Sequence, residues 1–319
     1  MDWPTTIEAI AGTLRVSTPV LLAALGAVIC ERSGVINIAL EGIMLCGAFT
    51  SAATTYFINE YAVAGKCAWL AAASPWFGVC GGMLAGVAIS ALLGLMAITG
   101  KANQIVAGLA INILAVGVTQ TLLVAFFGSA STSPKVPTVD NFRIPLLADI
   151  PYAGRLFELQ PFVYAALALV VVIHLLLYRT RFGLRVRAVG EHPTAVAASG
   201  VGVTWLRYRA VLICGALAGL GGAALANEAH SFTKMMTGGR GYIALTAVIF
   251  GRWTPIGAFC AALLFGFADK VKDLVGDVPP QITTMFPYLT VVFVMFVFAG
   301  WAKPPAAAGI PFEKGQDVS

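Results

Sequence analysis

Asn37 and Glu41, four residues apart, interrupt an otherwise apolar run in the stretch Glu31–Gly42 (ERSGVINIALEG). On a helix that spacing puts the amide and the carboxylate on one face. A charge at the centre of a membrane helix costs roughly 2.5–3.5 kcal/mol on insertion scales. Such a face therefore belongs against protein or a wet path, where it can hydrogen-bond a polar solute. Glu31 and Arg32 read instead as part of a turn in water, with Gly34 permitting the bend. Asn112, deep in the apolar run Ile105–Phe127, needs a partner, either a neighbouring helix or a solute. None of these residues makes a catalytic set. His174, His192 and His230 fall in different regions, no His/Cys/Asp/Glu group has metal spacing, and no Ser-His-Asp combination stands out. The G-x-x-x-x-G-K-[ST] loop that cradles nucleotide phosphates is absent. The expectation is a chain that binds or passes a solute, with no catalytic residue, no metal and no cofactor of its own.

The elements that must position these residues follow from composition. Of 319 residues, 59% are hydrophobic and 11% charged, against about 25% charged in a soluble domain. The excess apolar surface must face lipid, where only helices or a closed barrel satisfy the backbone. Barrel strands alternate apolar and polar residues, whereas Phe162–Tyr178 and Pro287–Trp301 are unalternating. The fold class expected is an all-α integral membrane protein, one transmembrane domain over 1–319. Spans of about 20 apolar residues fall at Leu14–Cys30, Val35–Phe57, Phe77–Ile98, Ile105–Phe127, Pro161–Tyr178, Ala210–Asn227, Tyr242–Phe250, Pro255–Ala268 and Phe286–Trp301. This gives about nine transmembrane helices, within a range of eight to ten. Tyr242–Phe250 is too short to cross alone and reads as a half-helix or re-entrant segment. Thr237–Gly257, punctuated by Gly238, Gly239, Gly241, Gly251 and Pro255, reads as broken helix.

Arginines cluster at Arg179, Arg181, Arg185, Arg187, Arg207 and Arg209, against the acid Glu191. The positive-inside rule makes 179–209 cytoplasmic. Counting spans then puts 128–160, Asn227–Arg240 and Lys270–Met285 outside, with Met1–Thr13. The acidic Met1–Glu8 carries no signal-peptide pattern. Within 179–209, Pro193 suits the first position of a short helix, Thr194–Ser199, and Gly200 the left-handed residue that ends it. That helix fits either anionic lipid heads or a groove on a cytoplasmic partner. The net charge of +5 is too diffuse for nucleic acid. Asn37–Phe49 and Tyr242–Phe259 both carry Ile-Ala-Leu and Gly-Ala-Phe, five residues differently spaced. An inverted repeat is one reading, and a chance match between Ala-rich helices is the other. The six cysteines show no redox spacing, and a Cys67–Cys80 disulfide stays open.

Four blocks together, ERSGVINIALEGIMLCGAF (Glu31–Phe49), KANQIVAGLAINILA (Lys101–Ala115), RFGLRVRAVGEHPTAVAASGVGV (Arg181–Val203) and GRGYIALTAVIFGRWTPIGA (Gly239–Ala258), resemble permease subunits of bacterial nucleoside-type ATP-binding-cassette importers. Those belong to the superfamily that includes ribose and branched-chain amino acid permeases. The resemblance implies an inner-membrane permease working by alternating access, paired with a second, related permease as a heterodimer. It also implies a cytoplasmic ATPase that binds Mg-ATP and an extracytoplasmic solute-binding protein or lipoprotein. Gly190, Glu191, His192, Pro193, Ala197 and Gly200 fall in the family's coupling loop. His192 departs from the usual G-E-N-P form and leaves the details of that contact open. For a nucleoside, Phe49, Tyr56 or Phe250 would stack on the base, and Asn37 and Asn112 would bond its polar edge, with Glu41 in the same path. The rival readings are a sugar or branched-chain amino acid permease of the same superfamily, a secondary transporter working alone, and a membrane-embedded enzyme acting on lipid, against which the sparse catalytic residues speak.

Overall fold

The computed structural model describes residues 3–143, 154, 157–274, 285–298 and 303–313. Eleven α-helices run through the described residues: α1 (Trp3–Arg32), α2 (Leu40–Ala64), α3 (Ala68–Gly94), α4 (Gln104–Phe127), α5 (Pro161–Arg179), α6 (Arg181–Glu191), α7 (Pro193–Ala198), α8 (Val203–Ala229), α9 (Arg240–Phe250), α10 (Pro255–Leu274) and α11 (Phe286–Phe298). Two two-residue strands, β1 (Phe142–Arg143) and β2 (Glu158–Leu159), pair antiparallel between α4 and α5. All six cysteines are free, so Cys67 and Cys80 form no disulfide.

Local sequence explains the boundaries. Asn103 caps α4, its side chain accepting from the N–H groups of Ile105 and Val106, which have no intrahelical acceptor. Pro161 opens α5, where its missing N–H costs nothing. Thr180 separates α5 from α6 and caps the latter by accepting from Gly183 N–H. Gly200, at φ +82°, ends the short α7 turn as its position promises. The Arg-rich stretch 179–209 is therefore mostly helical rather than a loop: α6 precedes the short helix that sequence reading places there.

Five helices among the described residues are long and apolar enough to cross a membrane: the Ile7–Arg32 part of α1, α3 with its π-helical last turn, α4, α5 and α8. They divide into two classes. About four-fifths of the most apolar stretch of α1 and of α8 is buried within the protein, but only about a third of that of α3, α4 and α5. α1 and α8 form the centre, packed on each other, with α10 against α1 and with α2 and α3 against α8, while the outer helices keep a broad apolar face free. α3 and α8 approach through opposed small residues. A Cβ on Gly86 would lie 2.2 Å from the Gly215 carbonyl oxygen, and one on Gly219 2.4 Å from that of Gly82. This is small-xxx-small packing, in which missing side chains let backbones touch.

The second span begins later than its hydropathy indicates. Asn37 Oδ1 accepts from Ala39 N–H at 3.0 Å, a local turn that competes with helix, and 33–39 stays non-helical. The α1–α2 connection is thus a break about seven residues long. α9 has 11 residues, as the reading of a half-helix requires.

The two ends of the bundle are tied differently. At one end, Thr132 bridges Thr233, Ser133 N–H donates to Phe232 O, and Asn227 accepts from Val139 N–H. The loops after α4 and α8 therefore meet, as the common side inferred for them demands. At the other end lie the α1–α2 break, the end of α6, the α9–α10 turn and the segment 303–313. Arg32 donates there to the carbonyls of Trp253 and Arg252. Glu31 is buried rather than in water, its carboxylate accepting from the Trp253 indole N–H. Trp253 is likewise buried, so it anchors Glu31 and not the lipid interface. The connection expected over Lys270–Met285 and the end of the last span at Trp301 lie largely outside the described residues.

Candidate functional site

The strip between α8 and α9 runs back into the bundle and meets the start of α2. Glu41, in the first turn of α2, holds it there. Its Oε1 accepts from Thr237 Oγ1 at 2.6 Å and from Gly239 N–H at 2.8 Å, and its Oε2 accepts from Gly241 N–H at 2.7 Å. The first N–H groups of a helix lack intrahelical acceptors and carry the positive end of its dipole. A carboxylate from another helix satisfies both deficits for α9. The geometry demands glycine. Gly238 and Gly239 sit at φ +52° and +83°, and a Cβ on Gly241 would lie 2.4 Å from Glu41 N.

Asn112, near the middle of α4, forms the adjoining wall. Its Oδ1 accepts from Gly42 N–H at 2.8 Å, while Nδ2 donates to Ile38 O at 2.9 Å and to the Tyr242 hydroxyl at 3.0 Å. One amide thus links α4, the α1–α2 break and α9. Because the Tyr242 oxygen accepts from Asn112, its own proton is free to point elsewhere.

Between these elements lies a cavity of about 370 Å³. Glu41, Asn112, Thr237 and Tyr242 give it a polar ledge, and Leu45, Ile113, Val116 and Met235 supply apolar walls. An apolar cleft with a few fixed polar groups is the usual form of a small-molecule site. On the far side of the Thr237–Arg240 strip is a smaller cavity of about 160 Å³ that reaches Arg240, Asp269 and Tyr288. Tyr288 donates to Gly238 O at 2.7 Å, and Arg240 lies 3.5 Å from Asp269. The strip is therefore gripped from both faces.

Of the residues sequence reading marks for a solute path, Glu41 and Asn112 come together here. Asn37 does not share a helical face with Glu41, because the chain unwinds before α2. It is wholly buried, with Nδ2 3.2 Å from Cys214 Sγ. Phe49 is 3% exposed and packs its ring on Phe232 and Phe126 behind the lining. Tyr56 packs on Phe57 and Phe127, in an aromatic group that Phe126 joins to Phe49. Phe250 lines a different, apolar groove with Leu264 and Phe265. Tyr242 and Thr237 are the polar side chains of the lining that sequence reading does not mark for a solute path. The glycine-broken context marks their neighbourhood, but an aromatic or a threonine beside a membrane helix carries no distinguishing signal.

The loop residues fall at the opposite end of the break. Gly190 is buried, and a Cβ on it would lie 2.2 Å from Arg32 O. Pro193 begins α7 and is buried, Ala197 is half-buried, and Glu191, His192 and Gly200 are exposed.

Fold and site together define a polytopic helical membrane protein with a solute-sized cavity at a helix break. The chain belongs to the family of permease components of branched-chain amino acid transport systems, whose model matches residues 9–295. It is similar to the guanosine ABC transporter permease protein NupQ of Bacillus subtilis (39% identity, covering 96% of this chain and 97% of NupQ). It is also similar to the nucleoside ABC transporter permease protein NupC of Lactococcus lactis (34%, 96% and 97%) and the putative glucose ABC transporter permease protein TsgC13 of Haloferax volcanii (32%, 89% of each). NupP and NupB, permeases named alike in the first two organisms, match at 24% identity. No solved structure matches.

Proposed function

We propose that this chain is one permease subunit of an ATP-driven importer that moves a neutral polar solute, a nucleoside, through the cavity at Glu41 and Asn112. The observation that carries the solute class is the occupancy of the α9 N-terminus. In transporters with broken helices, such a terminus attracts the anionic group of a substrate. Here Glu41 already fills it with three hydrogen bonds. An amino acid carboxylate would meet a carboxylate, not a free dipole. A nucleoside brings a flat apolar face for Leu45, Ile113 and Met235, and a polar edge for Tyr242 and Asn112. Asn37 and Phe49 support the ledge from behind, and Phe250 belongs to a second, apolar groove at the α9–α10 turn. The names of NupQ and NupC favour nucleosides over the sugar named for TsgC13.

The remaining parts complete the reading. The chain is one transmembrane domain of about nine crossings, with the α1–α2 and α9–α10 breaks related as an inverted repeat, in a bacterial cytoplasmic membrane. The Arg-rich end faces the cytoplasm, and the loop 128–160 faces outside. A second, related permease closes the cavity, and an extracytoplasmic binding protein delivers the solute. Mg-ATP is bound and hydrolysed on a separate ATPase that docks at His192, Pro193 and their neighbours on α7. Alternating access requires that this ATPase bind the two states of the permease unequally.

The test is competition in proteoliposomes holding the whole complex. Uptake of labelled guanosine should be blocked by excess neutral nucleosides and unaffected by nucleoside 5′-monophosphates or leucine. Blocking by leucine, with no effect of nucleosides, would sink the assignment of solute and leave the permease class standing.

A further inference from the structure

The segment 303–313 makes an unusual set of contacts for a non-helical stretch. Ala307 N–H donates to Gly190 O at 2.8 Å, and Ala306 N–H to Glu191 Oε2 at 3.2 Å. These bonds hold the end of α6, next to the docking helix α7. Two residues further on, Gly309 N–H donates to Gly34 O at 3.0 Å, inside the α1–α2 break. Lys101 Nζ then meets Glu313 Oε1 at 2.7 Å, just before α4. One short segment thus touches the docking loop at one point and the approaches to both cavity helices, α2 and α4, at two others.

A buried cation secures the middle of it. Arg207 on α8 is 1% exposed. Its Nε donates to Ser33 O at 3.2 Å and its Nη1 to Ile310 O at 3.0 Å, while Nη2 has no partner. A buried guanidinium needs acceptors, since an unpaired buried charge is strongly unfavourable. The carbonyls it finds belong to the break and to the segment, so Arg207 clamps one to the other. The segment is also packed from below: Ala307 is 2% exposed, and Phe312 lies against the main core.

We propose that 303–313 is a transmission strap, and that Arg207, Glu191 and Lys101 are positioning residues that pass movement of the docking loop to the walls of the solute cavity. Direct contact between Gly190 and Arg32 carries part of that movement to the break. The strap adds a link to the start of α4 through the Lys101–Glu313 pair. Both walls then shift together when the docking loop moves, as a cavity that must open on one side and close on the other requires. The inference rests on α7 being the ATPase-docking helix.

The experiment uses the complete complex and reads two quantities: ATPase retained on purification, and solute moved per ATP hydrolysed. Lys101→Glu should leave the ATPase bound and lower solute per ATP by roughly threefold, and adding Glu313→Lys should restore it. Ending the chain after residue 302 should keep the ATPase bound and lower the ratio by about tenfold or more. A merely structural segment would lower the amount of complex without moving the ratio. A native ratio in the truncated chain overturns the proposal. Should the truncated chain fail to insert, the charge pair decides: an unchanged ratio in Lys101→Glu, or a loss that the second substitution does not repair, overturns it. Failure of the docking assignment is seen separately, as loss-free ATPase retention and stimulation when α7 itself is broken by Ala198→Pro.

Discussion

Glu41 shows how a residue's type and its role separate. As a carboxylate in an apolar run it announces that something polar must meet it, because burying a charge without partners is costly. What meets it is backbone: two N–H groups of the α9 start and the Thr237 hydroxyl. Gly241 makes that approach possible. Gly241→Ala would place a methyl 2.4 Å from Glu41 N, so α2 and α9 must separate and the three bonds weaken together. Hydrogen bonds to a charged group contribute about 1.5–3 kcal/mol each. The expected outcome is loss of solute uptake of roughly a hundredfold with a lowered melting temperature, read by transport assay and by thermal unfolding in detergent. Near-native uptake would show that the Glu41 latch is dispensable. Asn112 gives a milder case. Asn112→Ala leaves Gly42 N–H and Ile38 O without their partner, at a cost of about 1–3 kcal/mol for buried groups left unsatisfied. Asn112→Asp keeps the acceptor for Gly42 but loses both donors. Uptake and stability should therefore rank native, then Asp, then Ala, and a reversed order would point to the amide acting on the solute alone.

At the scale of elements, breaks matter more than spans. The α1–α2 break carries a turn held by Asn37, and α9 is a half-helix capped by another helix's carboxylate. The short α7 stands on a proline at its first position and a left-handed Gly200 at its end. Ala198→Pro removes an N–H from its last turn and clashes with the preceding carbonyls, a change of about 3 kcal/mol in a helix interior. Membrane insertion should persist, while solute-stimulated ATPase activity of the complex should fall to its unstimulated rate. Unchanged stimulation would assign α6 and α7 to the membrane surface. The α3–α8 contact shows the opposite relation of sequence to structure. Its small-residue stripes, Gly82 with Gly86 and Gly215 with Gly219, are plain in the sequence. That they oppose each other is a tertiary fact.

For the whole molecule, burial divides a centre of α1 and α8 from an outer layer whose apolar faces are left for lipid or another chain. α4 belongs to that layer, and Ile113, beside the cavity residue Asn112, is 75% exposed. On the proposed function, a second permease closes this apolar flank of the cavity. Proteoliposomes with this chain and the ATPase should therefore show no uptake until the second, related permease is added. Ion-gradient-driven uptake by this chain alone would restore the secondary-transporter reading.

By itself the sequence determined the membrane environment, the helical class, most helix positions among the described residues, the short α9 and the α7 turn. These follow from local quantities, since apolar run length, proline and glycine positions act over a few residues. It also marked Glu41 and Asn112 as polar groups in need of partners. Only the tertiary structure decided which partners those were. It also unwound Asn37 from the shared face, buried Glu31 under Trp253, turned the Arg-rich loop into α6, and laid 303–313 across the break. Apart from the Asn37 turn and α6, whose Thr180 cap is local, those outcomes depend on contacts between residues roughly 70 to 280 positions apart. Hydrophobic periodicity carries no record of such distances. A polar residue in an apolar run states a demand for hydrogen bonds, and the fold alone supplies the group that meets it.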